Sequence, residues 1–229
     1  MRVPESFVAA GLAVAFSSGC DEAKQVSLTT PSQIVVGSGR FVTEARSAGG
    51  FTAVAIAAGG RAIVTVGAPD SLEITAEDNI LPFIESSVVN GRLTVQVRAP
   101  GVSVSGHGVT YRIGVREVRE LVASAGSTIE ADGIDATELG LRLSAGSSFT
   151  GTGSVSRFDL ELSAGSRADA SGLRSRDVLA ALSAGSTARV RVTEALTVSA
   201  SAGSIVEYLG DPVVQAQTSS GSIVRRAGS

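Results

Sequence analysis

The chain has 229 residues, a formal net charge of -3 and a single cysteine; 43% of its residues are hydrophobic, 27 are glycine and none is tryptophan. That length holds one domain or two small ones, the lone cysteine excludes an intrachain disulfide, and the slight acidic excess, with Arg225-Arg226 the only adjacent basic pair, gives no field that would hold nucleic acid. Apolar content drawn mainly from Ala, Val, Leu and Ile, with so much glycine, favours short strands joined by tight turns.

Residues 1–19 read as a signal peptide, with Arg2 as the positive end and an apolar stretch over 7–16. Ten residues reach roughly 15 Å as a helix, half of the about 30 Å of bilayer hydrocarbon, so this segment is too short to remain as a membrane span. Ser17-Ser18-Gly19-Cys20 then resembles a bacterial lipobox, which makes Cys20 the expected lipidation site. An ordinary signal peptide followed by an incidental cysteine is the alternative. Lipidation would give a membrane-anchored lipoprotein of the bacterial cell envelope, facing the periplasm or the surface.

Residues 20–46, containing Pro31 and Gly37-Ser38-Gly39, read as a tether or loose lead-in. Residues 47–118 form an N-terminal β region with strand-like runs at 54–56, 63–66, 72–76, 93–97 and 109–115. Within it Val89-Asn90-Gly91-Arg92 carries the Asn-Gly signature of a tight hairpin. The irregularity of this region suits a cap, a set of irregular first rungs, or a small separate domain.

Residues 119–229 are repetitive. Ser-Ala-Gly-Ser begins at Ser124, Ser144, Ser163, Ser183 and Ser201, and Ser-Ser-Gly-Ser begins at Ser219, with spacings of 20, 19, 20, 18 and 18. One, three and five positions before each first serine, 16 of 18 residues are apolar, as in Leu143, Leu141 and Leu139 or Leu162, Leu160 and Phe158. The positions between them are mostly polar, as in Arg142, Asp159 and Glu161, which is the period of a strand with one buried face. Five residues after each first serine stand Ile129, Phe149, Ala168, Ala188, Val206 and Val224, the mark of a second strand. Gly126, Gly146, Gly165, Gly185, Gly203 and Gly221 lie at the corner between the two, where a positive φ or close packing favours glycine.

One such rung is too small to bury its own face, and stacking rungs at roughly 4.8 Å buries it against like residues. The expected fold is all-β: a right-handed parallel β-helix with about six regular rungs of 18–20 residues and an irregular N-terminal β cap.

Gly37-Ser38-Gly39-Arg40, the run Ala76-Glu77-Asp78-Asn79-Ile80-Leu81-Pro82, Asn90-Gly91-Arg92-Leu93 and the serial Ser-Ala-Gly-Ser corners together resemble the auto-transporter adhesin, head GIN domain family, over residues 35–226. The resemblance implies a β-helical fold and a place in the cell envelope. It brings no catalytic residues.

Chemistry-bearing residues are few. His107 is the only histidine and sits in a glycine-rich loop; with one histidine and one cysteine, a zinc site of those ligands is excluded by count. Asp159 and Glu161 share one outward strand face, and Asp169 and Asp177 lie in the same repeat, which makes carboxylate chemistry on acidic polysaccharides the enzyme alternative. Scarce aromatics, Tyr111 and Tyr208 being the only tyrosines, leave little for sugar rings to stack on. Stacking would also align Ser127, Ser147, Ser166, Ser186, Ser204 and Ser222 into a column of hydroxyls, either a ladder for a repetitive ligand or a set of turn caps. The sequence therefore predicts a protein without cofactor or metal that presents a rigid β-helix for adhesion, ligand binding or scaffolding. A glycan or an envelope protein is the expected ligand, and the oligomeric state is left open. A periplasmic sensor or assembly partner is the further alternative.

Overall fold

In the computed structural model, residues 33–98, 102–105 and 108–228 are described; the signal segment, Cys20 and His107 lie outside them. Alternating apolar residues become strands throughout. The first nine are β1 (Gln33–Val36), β2 (Phe41–Arg46), β3 (Ala53–Ala57), β4 (Arg61–Val66), β5 (Ser71–Glu77), β6 (Ile84–Val89), β7 (Arg92–Val97), β8 (Val102–Ser105) and β9 (Thr110–Val115). The repeats supply β10 (Glu120–Ala123), β11 (Thr128–Leu143), β12 (Ser148–Leu162), β13 (Arg167–Leu182), β14 (Thr187–Ala200), β15 (Ile205–Leu209), β16 (Val213–Thr218) and β17 (Ile223–Arg226).

The repeats stack as a parallel β-solenoid in the expected register. Leu121, Leu141, Leu160, Ala180, Val198 and Ala216 form one continuous column across β10 to β16. Ile129, Phe149, Ala168, Ala188, Val206 and Val224 form another. Leu141, Leu160 and Ala180 are at most 1% exposed, as are Ile129, Phe149 and Ala168. Removing these stacked side chains from water supplies the main driving force for the fold.

Each long strand bends, so that a rung has three sides. Between the two sides legible in the sequence runs a third, where Ala136, Val155, Ser175 and Val192 stack. Gly153 enables one of these bends: its φ is +129°, and a Cβ there would lie 2.0 Å from the Ile134 carbonyl oxygen.

The columns continue into the irregular half, but out of chain order. Leu93 of β7 pairs with Val54 of β3, which pairs with Leu121; Tyr111 of β9 pairs with Ala62 of β4, which pairs with Ile129. The β3–β4 rung is therefore sandwiched between a later rung, β7 with β9, and the first repeat. The outer layer is antiparallel: β6 pairs with β7, and β5 bridges β9 and β2. Residues 32–229 make one compact unit, so residues 47–118 are the first rungs and their closure within it. Of the residues read as a lead-in, 33–36 and 41–46 are strands.

Two of the motifs that carry the family resemblance, residues 37–40 and 76–82, are clasped to one another. Ser38 Oγ donates to Asp78 Oδ1 at 2.5 Å and Arg40 Nε to Asp78 Oδ2 at 2.7 Å. The Ser38 amide donates to Asn79 Oδ1 at 2.9 Å, the Gly39 amide to Glu77 Oε1 at 3.0 Å, and Asn79 Nδ2 to the Val36 carbonyl at 2.8 Å. Nearly all of these bonds satisfy backbone or charged groups, so the motif works as a structural clasp.

Candidate functional site: a serine seam along the solenoid

The corner tetrapeptide decides which polar groups the solenoid offers. At each corner the second and third residues both have positive φ: Ala145 at +52° and Gly146 at +71°, Ala164 at +51° and Gly165 at +70°. Two successive positive φ values define a type I′ turn. A Cβ on the corner glycines Gly126, Gly146, Gly165, Gly185, Gly203 and Gly221 would meet nothing within 4 Å. Of the two reasons expected for glycine here, backbone conformation is therefore the operative one. Each glycine amide donates to the alanine or serine carbonyl of the next corner, at 2.9–3.0 Å from Gly126 to Gly203.

The two serines of a corner have opposite fates. The fourth serine points inward: Ser127, Ser147, Ser166, Ser186 and Ser204 are at most 1% exposed. Their hydroxyls donate to the carbonyl of the first serine of the same corner at 2.6–2.7 Å, as Ser147 does to Ser144 and Ser166 to Ser163. The hydroxyl column expected over Ser127 to Ser204 is thus buried turn caps, unreachable by a ligand; Ser222 at the end instead accepts from the Ser204 amide at 3.2 Å. The first serine faces outward. Among the described residues the hydroxyls of Ser144, Ser163, Ser183 and Ser201 make no hydrogen bond to protein, although their amides and carbonyls are engaged. Parity distinguishes the two: Ser147 is in phase with inward Phe149, whereas Ser144 directly follows inward Leu143.

These four serines line a shallow groove of about 560 Å³ that crosses successive rungs. Its floor and far wall are small at one end, Ala181 and Ser199, and charged at the other, Arg142 and Glu161. The charged end is rigidified by a ladder of ion pairs. Arg92 meets Glu120 at 2.5 Å, Arg142 reaches Glu120 on one side, and Arg142 Nε donates to Glu161 at 3.0 Å on the other. The seam thus presents hydroxyls one rung apart, roughly every 4.8 Å, with a fixed cation and anion at one end.

The carboxylates singled out in the sequence are dispersed by the register. Asp159 lies opposite Leu179 and Glu161 opposite Ala181 on the neighbouring rung, while Asp177 lies opposite Arg157 and Asp169 opposite Arg189. Each has a local partner: Arg157 for Asp159 at 3.0 Å, Arg142 for Glu161 at 3.0 Å, Arg176 for Asp177 at 2.9 Å and the Ser171 hydroxyl for Asp169 at 2.6 Å. Burial opposes ionisation of Asp169, yet the hydrogen bonds from Ser171 and the nearby Arg189 and Arg167 hold its pKa below the ordinary aspartate value. Hydrogen bonding to Arg61 does the same for Glu130, and to Arg225 for Glu207. Elsewhere Glu117, Arg119, Asp135, Glu138 and Asp159 border a polar groove of about 550 Å³. Among the described residues no group of three or more His, Cys, Asp or Glu side chains is placed to hold a metal ion.

Residues 50–212 match the sequence model of a family described as "Putative auto-transporter adhesin, head GIN domain". No curated protein matches the chain. Among solved structures, a putative adhesin from Bacteroides fragilis NCTC 9343 is similar with a TM-score of 0.68 at 14% identity, over 84% of this chain and 100% of that one. A putative lipid binding protein from Parabacteroides distasonis ATCC 8503 is similar with a TM-score of 0.52 at 10% identity, over 86% of this chain and 100% of that one. A putative adhesin from Parabacteroides merdae ATCC 43184 gives 0.52 at 16%, again over 86% and 100%. At these identities the likeness is one of fold.

Proposed function

Because the chain belongs to the putative auto-transporter adhesin, head GIN domain family, we propose that it is a non-enzymatic adhesion module of the bacterial cell envelope, tethered by a lipid on Cys20, that holds an extended ligand along the serine seam. The observation that carries this is the row of unpartnered hydroxyls of Ser144, Ser163, Ser183 and Ser201 in one groove. A ligand whose own hydroxyls or carbonyls recur along its length, a glycan above all, exchanges hydrogen bonds with such a row one rung at a time. Affinity then comes from many weak contacts on a rigid template that loses little entropy on binding.

The test is binding of the purified protein to a glycan panel and, given the description of one structural neighbour, to lipid vesicles. Replacing Ser163 and Ser183 by leucine fills the seam without touching the core. Glycan retention that falls at least tenfold in this variant, with an unchanged melting temperature, supports the reading; retention that is unchanged, or absent in the unmodified protein, overturns it. Incorporation of radiolabelled lipid, compared with Cys20→Ser, tests the tether.

A second reading rests on the acidic groove. Four carboxylates, Glu117, Asp135, Glu138 and Asp159, with Arg119 beside them, are the kind of lining a polysaccharide-cleaving β-helix would use. Asp159 is engaged by Arg157, and Glu117 stands 3.8 Å from Arg119, which favours a solvated charged face. Turnover of an acidic polysaccharide that Glu138→Gln abolishes would replace the adhesion reading with this one.

A further inference from the structure

Most of the described arginines stand in ion pairs. Six make none within 4 Å: Arg112, Arg116, Arg167, Arg174, Arg189 and Arg191. The last four share one place in the fold, on β13 and β14, which are interior rungs flanked by β12 on one side and by β15 and β16 on the other. Buried Ala168, Leu173, Val190 and Val192 alternate with them, so all four side chains point outward.

The register sets them in a row. Arg167 lies opposite Thr187, Asp169 opposite Arg189, and Arg174 opposite Arg191. Passing from residue 187 to 191 along β14, the row meets Arg167, then Arg189, then Arg174 with Arg191. Four residues of strand span roughly 13 Å at about 3.3 Å each, and the row crosses the solenoid at right angles to the serine seam. Like charges directly opposite one another repel, and the carboxylates of this face are engaged elsewhere. Asp169 accepts from Ser171, Glu207 from Arg225, and Asp177 and Glu194 stand beside Arg176. Arg189 Nε is shut off from solvent without a partner.

Arg174 also walls a pocket of about 210 Å³ on the third side, with Asp135, Ser154, Ser156, Arg176 and Thr193. This lining sorts ligands. Arg174 offers a forked donor to an oxyanion, Ser154 and Ser156 offer hydroxyls, and Asp135 accepts from a hydroxyl but repels a doubly charged group. A phosphate meets Asp135 badly, whereas a sugar unit with one carboxylate among several hydroxyls satisfies all of them.

We infer that this face of β13 and β14 binds an acidic polysaccharide of the uronate type. One unit places its hydroxyls in the Ser154–Ser156 pocket and its carboxylate between Arg174 and Arg191, and further carboxylates follow along Arg189 and Arg167. Recognition by charge needs no aromatic face. The site shares no residue with the serine seam and stands whether or not the seam holds a ligand.

Calorimetric titration of the full chain at low salt, with an oligogalacturonate and with its neutral methyl ester, tests the inference. The acid is expected to bind and the ester to bind at least tenfold more weakly. Arg174→Gln with Arg191→Gln is expected to weaken binding of the acid at least tenfold with the melting temperature retained, because both side chains are exposed and repel each other; Arg174→Gln alone should give part of that loss. Arg112→Gln with Arg116→Gln removes the same charge from unpaired arginines elsewhere and should leave binding within about twofold, as should Ser163→Leu with Ser183→Leu. No binding of the acid, equal binding of the ester, equal losses in the two arginine pairs, or a comparable loss in the serine variant would each overturn the proposal. Retention of phosphatidylglycerol vesicles in place of the oligomer would assign the row to a lipid surface and overturn it as well.

Discussion

The hydroxyl of Ser38 donates to the carboxylate of Asp78 at 2.5 Å, closing two short motifs that stand 40 residues apart in the chain. The same carboxylate takes Arg40, and the two donors hold the Asp78 pKa below the ordinary aspartate value, Ser38 being the larger influence.

A pH dependence follows from that clasp. A depressed pKa in the folded state means that the contribution of Asp78 is complete above the ordinary aspartate value of about 3.9 and is lost as the pH falls through its lowered one. Protection of the Ser38 and Gly39 amides, relative to intrinsic exchange, is expected to be constant from neutral pH to about 5, with exchange accelerated relative to that intrinsic rate below about 3.9. In Asp78→Ala the acceleration should be present at every pH, with the repeats 119–226 still protected.

The stacked columns should be the costliest places to delete atoms. Leu160, 1% exposed between Leu141 and Ala180, is expected to cost about 2–5 kcal/mol on replacement by alanine. Leu179, its outward neighbour at 45% exposure, should cost no more than about 0.5 kcal/mol. Urea titration of both variants checks the contrast.

Ser175 is an imperfection in the third side. It stacks between Val155 and Val192, is 0% exposed, and its hydroxyl finds no partner. Ser175→Val keeps the shape, removes an orphaned polar group and should raise stability by about 1 kcal/mol, seen as a higher melting temperature.

The corners hold strain that can be relieved. Ala164 sits at φ +51°, where a side chain with a Cβ is disfavoured by about 1–2 kcal/mol. Ala164→Asn, the residue preferred at the first central position of a type I′ turn, should stabilise by about 0.5–1 kcal/mol, and Ala164→Val should destabilise. Gly153→Ala should cost more than either, because its new Cβ would meet the Ile134 carbonyl. Calorimetry of the three variants ranks them.

Some of this was legible before the structure because strand alternation has a period of two and the corners recur at a nearly fixed interval. Leu141, Leu160 and Ala180 could be aligned by counting back from a serine, and they stack as counted. The third side was not legible: residues 134–136 are too few to show a period, and Ser175 interrupts the apolar column they begin. Of the two readings of the Ser147 column, turn caps hold and a ligand ladder does not; the outward row at Ser144 and its counterparts is found by parity, which puts Ser147 inside and Ser144 outside. The interleaving of β3 and β4 between later strands left no mark in a region without a repeat, since pairing across dozens of residues is set by which edges remain open.

That interleaving has a consequence for how the molecule is made. The strands of residues 53–66 leave the ribosome early, yet one flank is covered only by 92–115 and the other only by 120–132. A nascent chain therefore carries a half-finished slab until more than half its length has been synthesised, and only then can the remaining turns add in sequence, each onto a completed predecessor. An interruption of synthesis before that point would leave β3 and β4 short of a neighbour, whereas loss of the last rungs leaves their pairings intact.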